Sequence, residues 1–240
     1  MHTVSDLYRY LRQQRERYGE SLYLESEIFR AAELAAQGLT DTGGEVTEAW
    51  KTATTLVELN DLICECRKCP LADTRNKFVF GVGNPQADVV LIGEAPGADE
   101  DRQGEPFVGR AGKLLNKILE AVDFKREDVF IGNILKCRPP NNRDPLPGEV
   151  EQCEPYLHKQ LEVLQPKVIL ALGRIAAQTL LRSKDSLTKL RTSVHEYQGI
   201  PLVVTYHPAA LLRNPNWKRP TWEDVQKFRK LYDELTENGK

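Results

Sequence analysis

The chain has 240 residues, of which 40% are hydrophobic and 28% charged, with a formal net charge of −2. That is ordinary globular composition with room for a full α/β domain and an appendage, and the balance argues against a dedicated DNA-coating protein. No stretch approaches the roughly 20 apolar residues of a membrane helix, and the opening MHTVSDLYRYLRQQRERYGE is charged throughout, unlike a signal peptide; a soluble, cytoplasmic protein with no membrane contact is expected.

In chain order, Ser5 is a plausible N-cap for a first helix with Leu7, Tyr10 and Leu11 at helical spacing. A second helical run, EIFRAAELAAQG, ends at Gly38, and LTDTGGEVT reads as a linker into a helix from about Val46 to Leu62. From Cys64 onward, short apolar runs alternate with amphipathic helices. The runs are 87–94, 128–135, 167–173 and 200–207, rich in Val, Ile and Leu without alternation, as strands buried on both faces should be. Helices are expected over 109–122, 147–164, 174–181 and 222–237. This pattern predicts a three-layer α/β/α sandwich with a central parallel four-stranded sheet, preceded by an N-terminal helical extension. The expected division is a helical extension and linker over 1–45 and the α/β domain over 46–240. Ligands of such sheets sit beyond the carboxyl ends of the strands, where Glu94, Asn133, Gly173 and His207 fall.

Charge is uneven: residues 1–60 hold 6 Lys+Arg against 10 Asp+Glu, while 61–240 hold 27 against 25. Basic residues bunch at Arg110, Lys113, Lys117, Lys136, Arg138, Arg143, Arg213, Lys218 and Arg219, a cluster able to neutralise phosphates or simply to form a solvated mixed surface.

The five cysteines are Cys64, Cys66, Cys69, Cys137 and Cys153. A disulfide framework does not suit a cytoplasmic chain. A C-x-x-C pair followed by two more cysteines sixteen apart supplies four soft ligands for one shared centre, and spacing alone does not choose between zinc and an iron–sulfur cluster. Cys66, Cys69, Cys137 and Cys153 are the preferred set; Cys64 could replace Cys66 but is better read as closing the preceding helix.

Three segments carry candidate chemistry. In GEAPGADEDRQGEPFVGRAGKLL (93–115) a strand ends at Gly93 and a helix starts among small residues, so backbone amides can approach a ligand closely. GNILKCRPPNNRDPLPGE (132–149) joins the amide of Asn133 to Cys137, Arg138 and Arg143. YHPAALLRNPNWKRPTWED (206–224) places His207 at a strand end before a Pro-initiated turn.

Residues from about 60 to 235 resemble family 4 uracil-DNA glycosylases, the iron–sulfur branch of that superfamily. The resemblance rests, in order, on Cys66/Cys69 with Thr74-Arg75, GEAPG-x-x-ED-x-x-G-x-PFVGRAG, NILKCRPP-x-NR-x-P, Cys153 and HPAALLRNP. It implies a [4Fe–4S] cluster on Cys66, Cys69, Cys137 and Cys153, and uracil-containing DNA as substrate. It further implies that Phe107 stacks on the base and that Glu94, Ala95 and Pro96 line the pocket. Asn133 then suits base choice, donating to uracil O4 and accepting from N3–H; cytosine reverses both polarities and would leave buried groups unpaired, at about 1–3 kcal/mol each. His207 can donate to the charge that develops on the leaving uracil, worth on the order of 3–4 kcal/mol. With Ala95 where a related family carries an Asp base, water is expected to be oriented by Glu94 or by one of Asp99, Glu100 and Asp101. Arg138, Arg143 and Arg213 are candidates for the DNA backbone. No Lys stands out as a Schiff-base nucleophile, so a monofunctional enzyme leaving an abasic site is expected, acting as a monomer. Two alternatives stay open: a non-catalytic iron–sulfur DNA-binding module of the same fold, and a sister glycosylase preferring another damaged base.

Overall fold

The computed structural model describes residues 48–237; the helices expected within 1–45 lie outside them. A 3₁₀ turn at Ala49–Thr52 leads to α1 (Leu56–Ile63), so the single helix expected from about 46 to 62 is interrupted. The sequence TATT supplies the break. Thr55 is an extended N-cap whose hydroxyl accepts from the Glu58 amide, while the Glu58 carboxylate accepts from the Thr54 amide, a reciprocal cap that fixes a new helix start. Cys64 is the C-cap of α1, in keeping with its expected helix-closing place.

The sheet has six strands rather than four: β1 (Val82–Gly83), β2 (Val89–Gly93), β3 (Phe130–Asn133), β4 (Val168–Leu172), β5 (His195–Tyr197) and β6 (Ile200–Thr205), in the order β1-β3-β2-β4-β6-β5. The four central strands are parallel, as expected, and the edge strands β1 and β5 pair antiparallel. Between them lie α2 (Ala98–Gln103), α3 (Arg110–Glu120), α4 (Pro147–Leu164), α5 (Arg174–Leu180), α6 (Leu187–Leu190), α7 (Pro208–Arg213) and α8 (Lys218–Glu237).

Continuous apolar strands make sense because both faces are covered. Val90, Ile92, Ile169, Ala171, Leu202 and Val204 join one core with α1, α4 and α5 residues, including Leu59, Leu157 and Ala177. Their neighbours Val89, Leu91, Val168, Leu170 and Val203 join a second core with Leu115, Leu119, Val225 and Phe228 of α3 and α8. Side chains of period two thus feed two cores from one strand.

Register aligns the strand ends. Gly93 pairs with Asn133 and Leu172 with Thr205, so the residues that follow emerge along one edge of the sheet. From β2 the chain moves to β3 on one side and later to β4 on the other, which opens a crevice at β2 of the kind where ligands of α/β sheets bind.

Candidate active site

A cavity of about 700 Å³ occupies this crevice, and its walls include Glu94, Ala95, Pro96, Phe107, Asn133 and His207. All six base-handling candidates therefore converge from three separate segments. Arg143 and Arg213 also line it, whereas Arg138 does not and instead donates to the Asn142 side chain at 2.8 Å.

Asn133 ends β3 and is 3% exposed. Its side-chain amide bonds to none of the described residues, while its backbone carbonyl accepts from the Lys136 Nζ at 2.7 Å. Lys136 is fully buried; its ammonium also donates to Gln160 Oε1 at 2.6 Å, and Gln160 Nε2 donates to the Phe80 carbonyl at 2.9 Å. Burial pulls the Lys136 pKa down to about 8 against the opposing pull of the Cys153 and Cys137 thiolates. A buried ammonium thus anchors the strand end that presents the amide.

Phe107 has a left-handed backbone (φ 54°), an unusual conformation for a bulky residue that persists only when its surroundings over-determine it. They do so here. Arg126 donates to the Pro106 carbonyl at 2.6 Å, and Glu100 Oε1 accepts from the amides of Val108 and Gly109 at 3.0 and 3.1 Å. A side chain at Gly112 would run into the Phe107 carbonyl. The ring is held 5.4 Å from that of His207 at a 32° tilt.

His207 caps α7, its Nδ1 accepting from the Ala209 amide at 3.1 Å. An accepting Nδ1 puts the ring proton of the neutral form on Nε2. Burial, helped by the charge of Arg213, lowers the His207 pKa to about 4, so the ring is neutral near pH 7 and Nε2–H is its donor. Gly173 (φ +94°) makes the approach possible: a Cβ there would lie 2.8 Å from that of His207.

Among the four acidic candidates, Glu94 and Glu100 line the cavity, and burial reinforced by Asp144 and opposed by Arg174 raises the Glu94 pKa to about 7. Asp144 and Arg174 are ion-paired at 2.8 Å on the cavity wall. The other three are engaged by protein groups. Asp101 is 1% exposed and accepts from the amide and side chain of Asn76; Asp99 pairs with Arg102 at 2.6 Å; Glu100 holds the Phe107 loop. No helix was expected here, yet the stretch forms α2, with three acids in its first turn where the helix dipole favours them. Arg143 is bound at both nitrogens by buried Glu149, at 2.9 and 2.5 Å.

Cys66, Cys69 and Cys137 are close enough for charge on one to raise the next, and Cys137 and Cys69 act likewise on Cys153. Burial raises the pKa values of Cys69, Cys137 and Cys153, that of Cys153 to about 12. Four donors reach the set: Arg75 to Cys137 Sγ at 3.3 Å, the Tyr156 hydroxyl and the Lys68 amide to Cys66 Sγ at 3.2 and 3.5 Å, and the Lys136 amide to Cys153 Sγ at 3.2 Å. Arg75 also donates to the Cys66 carbonyl at 2.6 Å, tying the two cysteine segments together. Among the described residues no three His, Cys, Asp or Glu side chains are grouped to hold one metal ion.

The sequence reading passed over Lys136 as a site-bracing group, along with Tyr206, Arg174 and Trp217 as cavity walls. Tyr206 stands beside His207 in the sequence, and Trp217 is the lone aromatic among polar and proline residues of RNPNWKRP; nothing around Lys136 in the chain signals its burial.

Comparison with known proteins accords with this arrangement. Residues 80–234 match the family model of the Uracil DNA glycosylase superfamily. A type-4 uracil-DNA glycosylase of Archaeoglobus fulgidus is 46% identical over 184 residues, covering 72% of this chain and 92% of that protein. Proteins of the same description from Pyrobaculum aerophilum (44% over 183 residues, 72% and 92% covered) and Sulfurisphaera tokodaii (42% over 185 residues, 73% and 84%) are similar. On this match over most of its length, the chain belongs to the type-4 uracil-DNA glycosylases of the Uracil DNA glycosylase superfamily.

Proposed function

We propose that this chain hydrolyses the N-glycosidic bond of deoxyuridine in single- or double-stranded DNA, releasing uracil and leaving an abasic site for repair. The observation that carries the reading is the convergence of Asn133, Phe107, Glu94 and a neutral His207 on one cavity. A base taken out of the stack enters a snug pocket and is read on its Watson–Crick edge. Phe107 supplies the stacking face, Ala95 and Pro96 the walls, and the unpartnered Asn133 amide the donor to O4 and acceptor for N3–H.

As the C1′–N1 bond breaks, its electron pair moves onto the uracil ring, and His207 Nε2–H donates to that charge. A low-pKa imidazole suits a hydrogen-bond donor, since it meets the developing anion without giving up its proton in the ground state. Water then adds to C1′, with the Glu94 carboxylate accepting its proton. No lysine lines the cavity among the described residues, which favours direct hydrolysis over an imine. In this reading Arg213, on the cavity wall, and Arg138 meet phosphates, and Arg143, paired with Glu149, contributes through its remaining donors.

Four soft thiol donors with no hard carboxylate among them, attended by Arg75 and Lys136, fit an iron–sulfur cluster on Cys66, Cys69, Cys137 and Cys153, which spreads its ligands over several irons rather than one ion. When bound, such a cluster braces the loop of Cys66 and Cys69 against the segment that carries Asn133; hydrolysis moves no electrons through it.

The test is a labelled oligonucleotide with one deoxyuridine, incubated with iron-replete protein and then alkali. Cleavage at the uridine is expected, and an uncut strand at high enzyme would overturn the reading. The same experiment with hypoxanthine and T:G substrates separates uracil excision from a sister specificity.

A further inference from the structure

Pockets of about 300–1,000 Å³ hold drug-sized ligands, so a cavity of about 700 Å³ is far larger than one pyrimidine requires. Part of its wall has a different character from the base-reading end. Leu187, Thr188, Tyr206, Ala210, Arg213 and Trp217 contribute apolar and aromatic surface with one cation.

The aromatic pair in this wall is rigidly built. The indole of Trp217 stacks on the ring of Tyr206 with centroids 4.9 Å apart and planes within 9°. The Arg191 guanidinium lies over the same Tyr206 ring at 4.4 Å. Arg191 is fixed in turn by two bonds to Asp224, at 2.6 and 2.9 Å, and one to the Pro220 carbonyl at 2.7 Å, while Thr205 donates to the same carboxylate. Tyr206 is consequently 9% exposed, yet Trp217, at the free end of the stack, keeps 36% exposure. An aromatic ring held flat from behind and open to a cavity is a stacking platform that loses little entropy when a base lands on it. Lys218 and Arg219 follow it directly in the chain, and the Arg219 side chain is 89% exposed.

We propose that this end of the cavity is a subsite for a second nucleobase, the one next to the extruded uridine in the same strand, stacked on Trp217 with its phosphate near Arg213. The proposal rests on the uracil-excision reading and extends it from one base to two. Every base has a π-face, so the subsite tolerates any neighbour and favours purines for their larger area.

The test couples the side chain to the base. Single-stranded oligonucleotides carry deoxyuridine with an intact neighbour, or with a tetrahydrofuran abasic unit on its 5′ or 3′ side. Wild type, Trp217→Ala and Trp217→Phe are compared by kcat/KM. Deleting the base on one of the two sides is expected to cost wild type about tenfold, carried by KM, and Trp217→Ala to cost about the same on the intact strand. The two losses must not multiply when combined, and Trp217→Phe should keep most of the wild-type value. Losses that multiply on both sides, or a Trp217→Ala enzyme equal to wild type, would overturn the subsite and leave Trp217 a packing residue. Anisotropy titrations with 2′-fluoro-2′-deoxyuridine, whose fluorine blocks bond cleavage, read the same coupling in Kd without turnover. A wild-type protein that binds these strands with the coupling but releases no uracil would overturn the excision reading alone.

Discussion

Replacing His207 with alanine tests the chemistry most directly. The imidazole is neutral because burial holds its pKa near 4, and its Nδ1 is occupied by the Ala209 amide, so the variant removes a single Nε2–H donor, the one proposed to meet the leaving base. Loss of one such donor costs about 2.7–4 kcal/mol, or 10²–10³ in kcat. The Asn133 amide remains, so KM should move little. The substitution also uncaps α7, which costs roughly 1 kcal/mol of stability without unfolding the domain. His207→Asn separates the two effects, because its shorter amide can still accept from Ala209 but does not reach as far as Nε2. Single-turnover uracil release followed by alkali cleavage, alongside thermal denaturation, reads both. Both variants are expected to lose at least a hundredfold in rate, with the asparagine recovering most of the stability. A decline of less than tenfold in His207→Ala, or recovery of rate together with stability in His207→Asn, would refute the leaving-group argument.

Glu94 sets a pH dependence. Its carboxyl ionises near pH 7, so a rate that relies on the carboxylate rises through neutrality; Glu94→Gln should flatten that rise, and Asp144→Asn, by removing a like charge, should move it to lower pH. The stability contribution of His207 runs in the same direction over a lower window: its native pKa of about 4 lies below the ordinary 6.5, so the unfolded chain takes up a proton first and stability falls as pH drops from about 6.5 towards 4, a slope that calorimetry should find reduced in His207→Ala. Cys153→Ala should lower bound iron and Tm together when measured by iron assay and calorimetry; unchanged iron would argue against the four-cysteine cluster. Asp224→Ala strands the Arg191 guanidinium, whose side chain is 11% exposed, and should cost about 3–5 kcal/mol, read as a Tm lowered by roughly 10 °C.

The parallel sheet was legible because β2, β3, β4 and β6 are buried on both faces and so contain little but Val, Ile, Leu and small residues. The edges were not: β1 has two residues, Val82 and Gly83, and β5 reads His-Glu-Tyr, segments too short or too polar to display a period. The helix at Pro147–Leu164 matched its expected bounds, whereas α8 starts four residues before Trp222, because Pro220 is tolerated in a first turn. Site residues were readable where a strand end made them conspicuous, as with Glu94, Asn133 and His207. The division of labour among Asp99, Glu100 and Asp101 was not, since three adjacent acids differ only in what they face once α2 forms.

Lys136 carries a consequence for anyone replacing the four cysteines of this protein. Its ammonium is 0% exposed and bonded to neutral oxygens, and Cys153 and Cys137, when ionised, oppose the pull of burial on its pKa. Swapping the cysteines for apolar residues would remove that opposition and push the lysine further towards its neutral amine, a weaker donor to the Asn133 carbonyl. A cysteine-free version must therefore replace the lysine in the same step, and must find another way to support the backbone carbonyl of Asn133.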